Sequence, residues 1–197
     1  MTRENGFGIS LQFYGEVAPL VGDLGRAMCV ALDQGHAVLC AVSDSTRLML
    51  EEQLTKRGID VSDARTRGQY VYLDGEDVLR QITHNGRPDP ARFHDVVEWE
   101  VESLVNEYAG VWMYGELAAI LWSQGHERGA IELDRLWASV AQSKPVVLCV
   151  AFPVEALSWP IVIKSLRAAV AEQIRAIARD SSIALAIHRG PMESKTE

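Results

Sequence analysis

Carboxylates, histidines, thiols and aromatic side chains are the groups in this chain that could carry chemistry. The most pointed of them is Glu116, in "VWMYGELAAILWSQG" (Val111 to Gly125). It stands where a strand pattern gives way to a helix pattern, a place where α/β proteins keep working carboxylates. Beside Tyr114 and among apolar neighbours it has the surroundings of a general acid or base with a raised pKa. No nucleophile or second carboxylate lies close in sequence, which favours a binding or structural role. His84, Asp89 and His94 gather around one loop and could be drawn as metal ligands. Five histidines scattered through 197 residues produce such groupings by chance, so no metal is assigned. Cys29, Cys40 and Cys149 are far apart, without the CxxC spacing of a metal or redox site, and read as reduced core thiols. Trp112, Trp122 and Trp137 flank Glu116, and Tyr14 and Phe152 close neighbouring strands. They read either as core filling or as walls of an apolar pocket holding one carboxylate.

The elements that would position these groups follow from periodicity. "ISLQFY", "HAVLCAVS", "QYVYLD", "GVWMYGE" and "PVVLCVAF" have strand composition, and the second is apolar throughout, as in a strand covered on both faces. Between them lie helical patterns, the first with Val17, Leu20, Val21, Leu24, Met28 and Leu32 on one side and Gly35 at its end. Ser43 and Asp44 can cap the second helix. "HNGRPDP" is the clearest loop, followed by a long amphipathic helix from about Arg92 to Tyr108. "IKSLRAAVAEQIRAIARD" predicts one more helix and "SSIALAIH" a last strand. Strands separated by helices pair in parallel through crossovers. The expected fold is therefore α/β, a three-layer sandwich with a mainly parallel central sheet. Residues 1–190 are expected to form a single domain, with residues 191–197 as a flexible tail.

Several functions are disfavoured. The net charge of −8 speaks against a nucleic-acid surface, which needs clustered Lys and Arg. The N-terminus lacks the apolar stretch of a signal peptide and no run is long enough to span a bilayer, so the expected address is the cytoplasm. Where a phosphate loop ending in GK[ST] would follow the first strand, the chain has "FYGEVAPLVGDLG". There is no lysine and no Ser/Thr for magnesium, and Glu16 would repel the anion. GxSxG, HExxH and GxGxxG are all missing. The chain is not expected to be an enzyme or to carry a cofactor.

The order of "QFY", "ALDQGHAVLCAVSDSTRLMLEEQLTKRGIDV", "GQYVYLDGEDVLRQITHNGRPDPARF", "YGELAAILWSQG", "ELDRLWASVAQ" and "VVLCVAFP" resembles the MEDS domain. This is the methanogen/methylotroph and DcmR-type sensory domain, similar to a RecA/KaiC-type core without its P-loop. "NGRPDPARF" and "YGELAAILW" are its most specific blocks. The resemblance implies a sensory domain that binds a small organic molecule and passes the signal to a regulatory partner or through self-association as a homo-oligomer. Tyr14, Asp74, Gly86, Asp89, Phe93, Gly115, Glu116, Trp122, Trp137 and Pro153 match the pattern. Of these, Tyr14, Asp74, Glu116, Trp122 and Trp137, together with Arg47, are the expected ligand-binding residues. Gly86, Asp89, Phe93, Gly115 and Pro153 are expected to shape loops. The family usually carries a histidine ahead of the first "FY", where this chain has Ile9, and often another where it has Thr46. A different ligand, or pure protein–protein interaction, would follow if those histidines bind the usual one. Residual nucleotide binding through Arg47 is the third alternative.

Overall fold

A computed structural model of the protein describes residues 8–153. Five strands, β1 (Gly8–Tyr14), β2 (Ala37–Val42), β3 (Tyr70–Asp74), β6 (Val111–Gly115) and β7 (Val146–Pro153), form one sheet in the order β1-β7-β6-β2-β3. Every pairing in it is parallel. A short hairpin, β4 (Thr83–His84) and β5 (Arg87–Pro88), stands apart. The helices are α1 (Val17–Asp33), α2 (Asp44–Lys56), α3 (Val61–Thr66), α4 (Gly75–Ile82), α5 (Pro90–Phe93), α6 (Trp99–Glu107), α7 (Leu117–Ser123) and α8 (Glu127–Ser143).

The pleat sends alternate side chains to opposite sides of the sheet, and each side has its own core. Val38, Cys40, Val42, Tyr70, Tyr114 and Cys149 pack against α1, α2 and α3. Ala37, Leu39, Ala41, Val111, Met113, Val146 and Leu148 pack against α4, α6, α7 and α8. All six residues of β2 are buried, as its uninterrupted apolar run requires. The layers are helix, parallel sheet and helix, the α/β sandwich that the alternation of patterns predicts.

Two local expectations need correction. "HNGRPDP" is not an open loop. Thr83 pairs with Pro88 and His84 with Arg87, across a two-residue turn in which Asn85 and Gly86 have φ of 49° and 70°. Positive φ at both central positions is the type I′ hairpin turn, which Asn-Gly favours because both residues tolerate the left-handed region. The helix expected from Arg92 to Tyr108 is also not uniform. Between α5 and α6 the backbone widens into a π-helical segment, His94–Glu98. The helix expected over residues 163–180 and the strand over 181–188 lie outside the described residues.

Candidate functional site

The carboxyl ends of β1, β2, β3 and β6 bring a set of polar side chains to the rim of the sheet on the side of α1–α3. Glu116 follows β6, and its backbone N–H extends the ladder to the Ala41 carbonyl at 3.0 Å. Its carboxylate reaches the turn between β2 and α2. Oε1 accepts from Thr46 Oγ1 at 3.0 Å and from the Tyr114 hydroxyl at 3.2 Å. Oε2 accepts from the Ser43 N–H at 3.3 Å and lies 3.4 Å from Ser43 Oγ. Ser43 in turn caps α2, its Oγ accepting from Thr46 N at 3.3 Å. One carboxylate thus ties two strand–helix turns together through hydroxyls and an N–H. No Lys or Arg pairs with it among the described residues. Tyr114 is 2% exposed, and its hydroxyl is held well above the ordinary phenol range by burial and by the adjacent Glu116 charge.

A second polar chain continues along the rim. Arg47 donates from Nη2 to Asp44 at 2.6 Å and from Nη1 to Glu51 at 3.2 Å, and its guanidinium lies 5.1 Å from the centre of the Tyr72 ring. The Tyr72 hydroxyl donates to Asp74 at 3.1 Å. Burial, followed by the Asp74 partner, pushes that phenol up to about 12. Asp74 caps α4 by accepting from Asp77 N at 2.9 Å; that N–H, helped by Tyr72, holds its carboxyl below the usual range. Glu51 also accepts from Arg65 and from the Tyr70 hydroxyl. Sequence reasoning missed Glu51, because its partners lie on α3 and β3 and no local pattern joins them.

Of the expected ligand-binding residues, the rim gathers Arg47, Asp74 and Glu116, with half-buried Tyr14 packed against the same core. Trp122 and Trp137 are not with them. Trp137 is buried on the opposite side of the sheet, edge-on to Phe93 with ring centres 5.4 Å apart. Trp122 packs half-buried against that same core. Both indoles and Phe93 pack in the core on that side of the sheet. The reason is alternation: Gly115 faces Trp137, so the next residue, Glu116, presents its side chain to the other side.

The remaining motif residues do local structural work. Asp89 caps α5, accepting from Ala91 N at 2.9 Å and Arg92 N at 3.2 Å. Gly86 forms the hairpin turn and lies against His126 and Gly129, where an added Cβ would meet other atoms. Pro153 pairs with Tyr14 at the end of the sheet. Only Gly15 and Glu16 separate β1 from α1.

Of the histidines, His84 belongs to the hairpin, while His94 meets Glu98 at 3.2 Å. His94, Glu98 and Glu102, successive turns of one helical stretch, have ligand atoms within 4.8 Å of one another. Lys144 Nζ already sits against this group, 3.2 Å from Glu98 and 2.9 Å from Glu102, and supplies the positive charge a metal would bring.

Among the described residues no helix is long and apolar enough to cross a membrane. No curated protein matches the chain. The family model for the MEthanogen/methylotroph, DcmR Sensory domain matches residues 11–168. That match spans most of the sequence and contains the whole rim, and the chain therefore belongs to the MEDS family of sensory domains.

Proposed function

We propose that this chain is a non-catalytic sensory domain whose small organic ligand binds at the carboxyl rim of the sheet, on the side of α1–α3. The supporting observation is the Glu116 carboxylate, held by Ser43, Thr46 and Tyr114 without a cationic partner. A general base needs a proton to take from a bound reactant and partners that leave it free to do so. Here two strand–helix turns already hold both oxygens. A hydroxyl- or amine-bearing ligand would compete with Ser43 and Thr46 for the carboxylate and so move the start of α2. Binding energy would thereby shift an equilibrium between two arrangements of the rim. Arg47, Tyr72 and Asp74 are placed beside it to select the rest of the ligand. The output passes to a regulatory partner.

Thermal unfolding against a panel of small alcohols, amines, carboxylates, halogenated one-carbon compounds and ATP with magnesium tests this reading. A ligand at 100 times its dissociation constant adds about 2.7 kcal/mol, which at this size raises Tm by roughly 5–11 °C. The shift should shrink in Glu116→Gln and in Arg47→Ala. A ligand shift that both variants retain in full would refute the rim as the site. The exposed apolar residues Leu48 and Trp99, at 55% and 60%, favour a second reading as an interaction module. A concentration-dependent oligomer with no response to any ligand would mark that outcome.

A further inference from the structure

The sheet is open along β1. Among the described residues that strand pairs with β7 alone, so the backbone groups on its outer side meet no partner strand there. Proteins keep edge strands from pairing by making them short or by placing charge or proline in them. β3, the opposite edge, has five residues and ends in Asp74. β1 has seven, "GISLQFY", without a Lys, Arg, Asp, Glu or Pro. An edge of that length and composition calls for a cover.

The chain carries a segment suited to it. β7 ends at Pro153, level with Tyr14 at the end of β1, and residues 154–197 follow. Ile163, Leu166, Val170, Ile174 and Ile177 recur at helical spacing within residues 163–180. Ile183, Leu185 and Ile187 alternate with small residues within residues 181–188, a strand pattern. The family match also runs past β7, to residue 168.

The hand of the described crossovers fixes where such a segment returns. From β2 the chain steps to its neighbour β3 through α2 and α3, on one side of the sheet. From β6 it steps the opposite way, to β7, through α7 and α8 on the other side. The two steps share one hand, as parallel crossovers do. Out of β7, the place on one flank is taken by β6 and on the other by β1. The next strand therefore lies beyond β1, and the same hand carries its helix on the side of α8. Apolar surface remains on that side, because Val150 of β7 and Ile131 and Leu136 of α8 pack against the core while only partly buried. The lengths agree as well. A helix over residues 163–180 spans about 27 Å, and the seven residues of β1 span about 23 Å. One pass of the helix returns the chain to the amino end of the sheet.

We propose that residues 181–188 pair in parallel with the outer edge of β1, with residues 163–180 packed beside α8, so that the chain covers its own open edge. The sheet order then runs from residues 181–188 through β1, β7, β6 and β2 to β3. A parallel strand ends at the carboxyl rim, so His188 and Arg189 come to the same end of the sheet as Tyr14 and Glu116. The pairing stands whether or not the rim binds a ligand.

The test is NMR of the full chain. Nuclear Overhauser contacts should join the amides of β1 to those of residues 181–188 in the parallel pattern. The amides on both sides of β1 should exchange at least about 100-fold more slowly than in an unfolded chain. In a mixture of labelled and unlabelled chains, isotope filtering should place every such contact within one chain. Leu185→Pro, which puts a residue without an N–H into the strand, should return the outer β1 amides to fast exchange while those of β2 stay protected. Ser194→Pro, in the tail, should leave them unchanged. If Leu185→Pro does not fold, the wild-type measurements decide the question by themselves. Outer β1 amides that exchange freely in the wild type would overturn the proposal. So would contacts between labelled and unlabelled chains, which would make a second copy the cover, or full protection retained in a folded Leu185→Pro.

Discussion

Removing the Glu116 carboxylate should damage the fold through one particular group, the Tyr114 hydroxyl. Glu116→Ala strands four donors at once, but Ser43 and Thr46 lie near enough to the surface for water to replace the carboxylate. Tyr114 is 2% exposed and its hydroxyl, 3.2 Å from Oε1, would lose its acceptor inside the core. A buried unpaired donor costs about 1–3 kcal/mol, so with the weakened turns the total is about 2–4 kcal/mol. At this chain size that lowers Tm by roughly 4–16 °C. Tyr114→Phe alone should cost about 1.5–3 kcal/mol, because it removes a hydrogen bond to a charged acceptor. In the Glu116→Ala background the same substitution should cost nothing or stabilise, since it deletes the orphaned hydroxyl. Urea unfolding at constant m measures all four species, and the cycle should show a coupling of about 1.5–3 kcal/mol. Glu116→Gln should fall between wild type and alanine. Its amide oxygen can face the Ser43 N–H while its NH2 donates to the Thr46 and Tyr114 oxygens, which can also accept. The reasoning is refuted if Tyr114→Phe costs as much without the carboxylate as with it.

Three further outcomes follow from the same contacts. An added Cβ at Gly129 would stand 1.8 Å from the Gly86 carbonyl oxygen, a backbone atom that cannot swing aside. Gly129→Ala should therefore push α8 off the β4–β5 hairpin and cost about 1–3 kcal/mol in urea unfolding; an unchanged midpoint would show that the two do not pack. Lys144→Ala should leave His94, Glu98 and Glu102 without their resident cation, so that Zn2+ raises the Tm of the variant and not of the wild type. A zinc response already present in the wild type would contradict the role given to Lys144. Burial pushes the Cys149 thiol up to about 12 from an ordinary 9.0, and Cys40 shifts in the same direction. The folded chain thus keeps protons that the unfolded chain releases. The stability Cys149 contributes is complete below pH 9 and drains between about pH 9 and 12, by about 1.4 kcal/mol per pH unit. Cys149→Ala should flatten the alkaline fall in urea midpoint by one such group.

What the sequence made legible was local. "AVLCAV" announces a strand buried on both faces because no polar residue interrupts it, and all six residues are buried. Ser43 ahead of α2 reads as a cap from residue type alone, and it caps. Asn85-Gly86 is the hairpin signal within "HNGRPDP", because both residues tolerate the positive φ that the turn requires. The π-helical segment, His94–Glu98, was out of reach. Its apolar spacing passes for an ordinary helix, and the widening leaves no mark in residue type.

The candidate site divides along the same line. Tyr114 and Glu116 share a side because they are two apart on an extended chain, which sequence shows. Ser43 and Thr46 meet Glu116 from 73 and 70 positions away, and only the pairing of β2 with β6 brings them there. That pairing also decides what Trp137 can do. With Ala41 opposite Gly115, the sheet there has little side-chain bulk on its α4–α8 side, and the indole of Trp137 lies against that surface. A tryptophan near an acid in sequence is a pocket wall only if both project from the same side of the sheet. Here the odd spacing between Gly115 and Glu116 sends the acid to the rim and keeps the indole in the core.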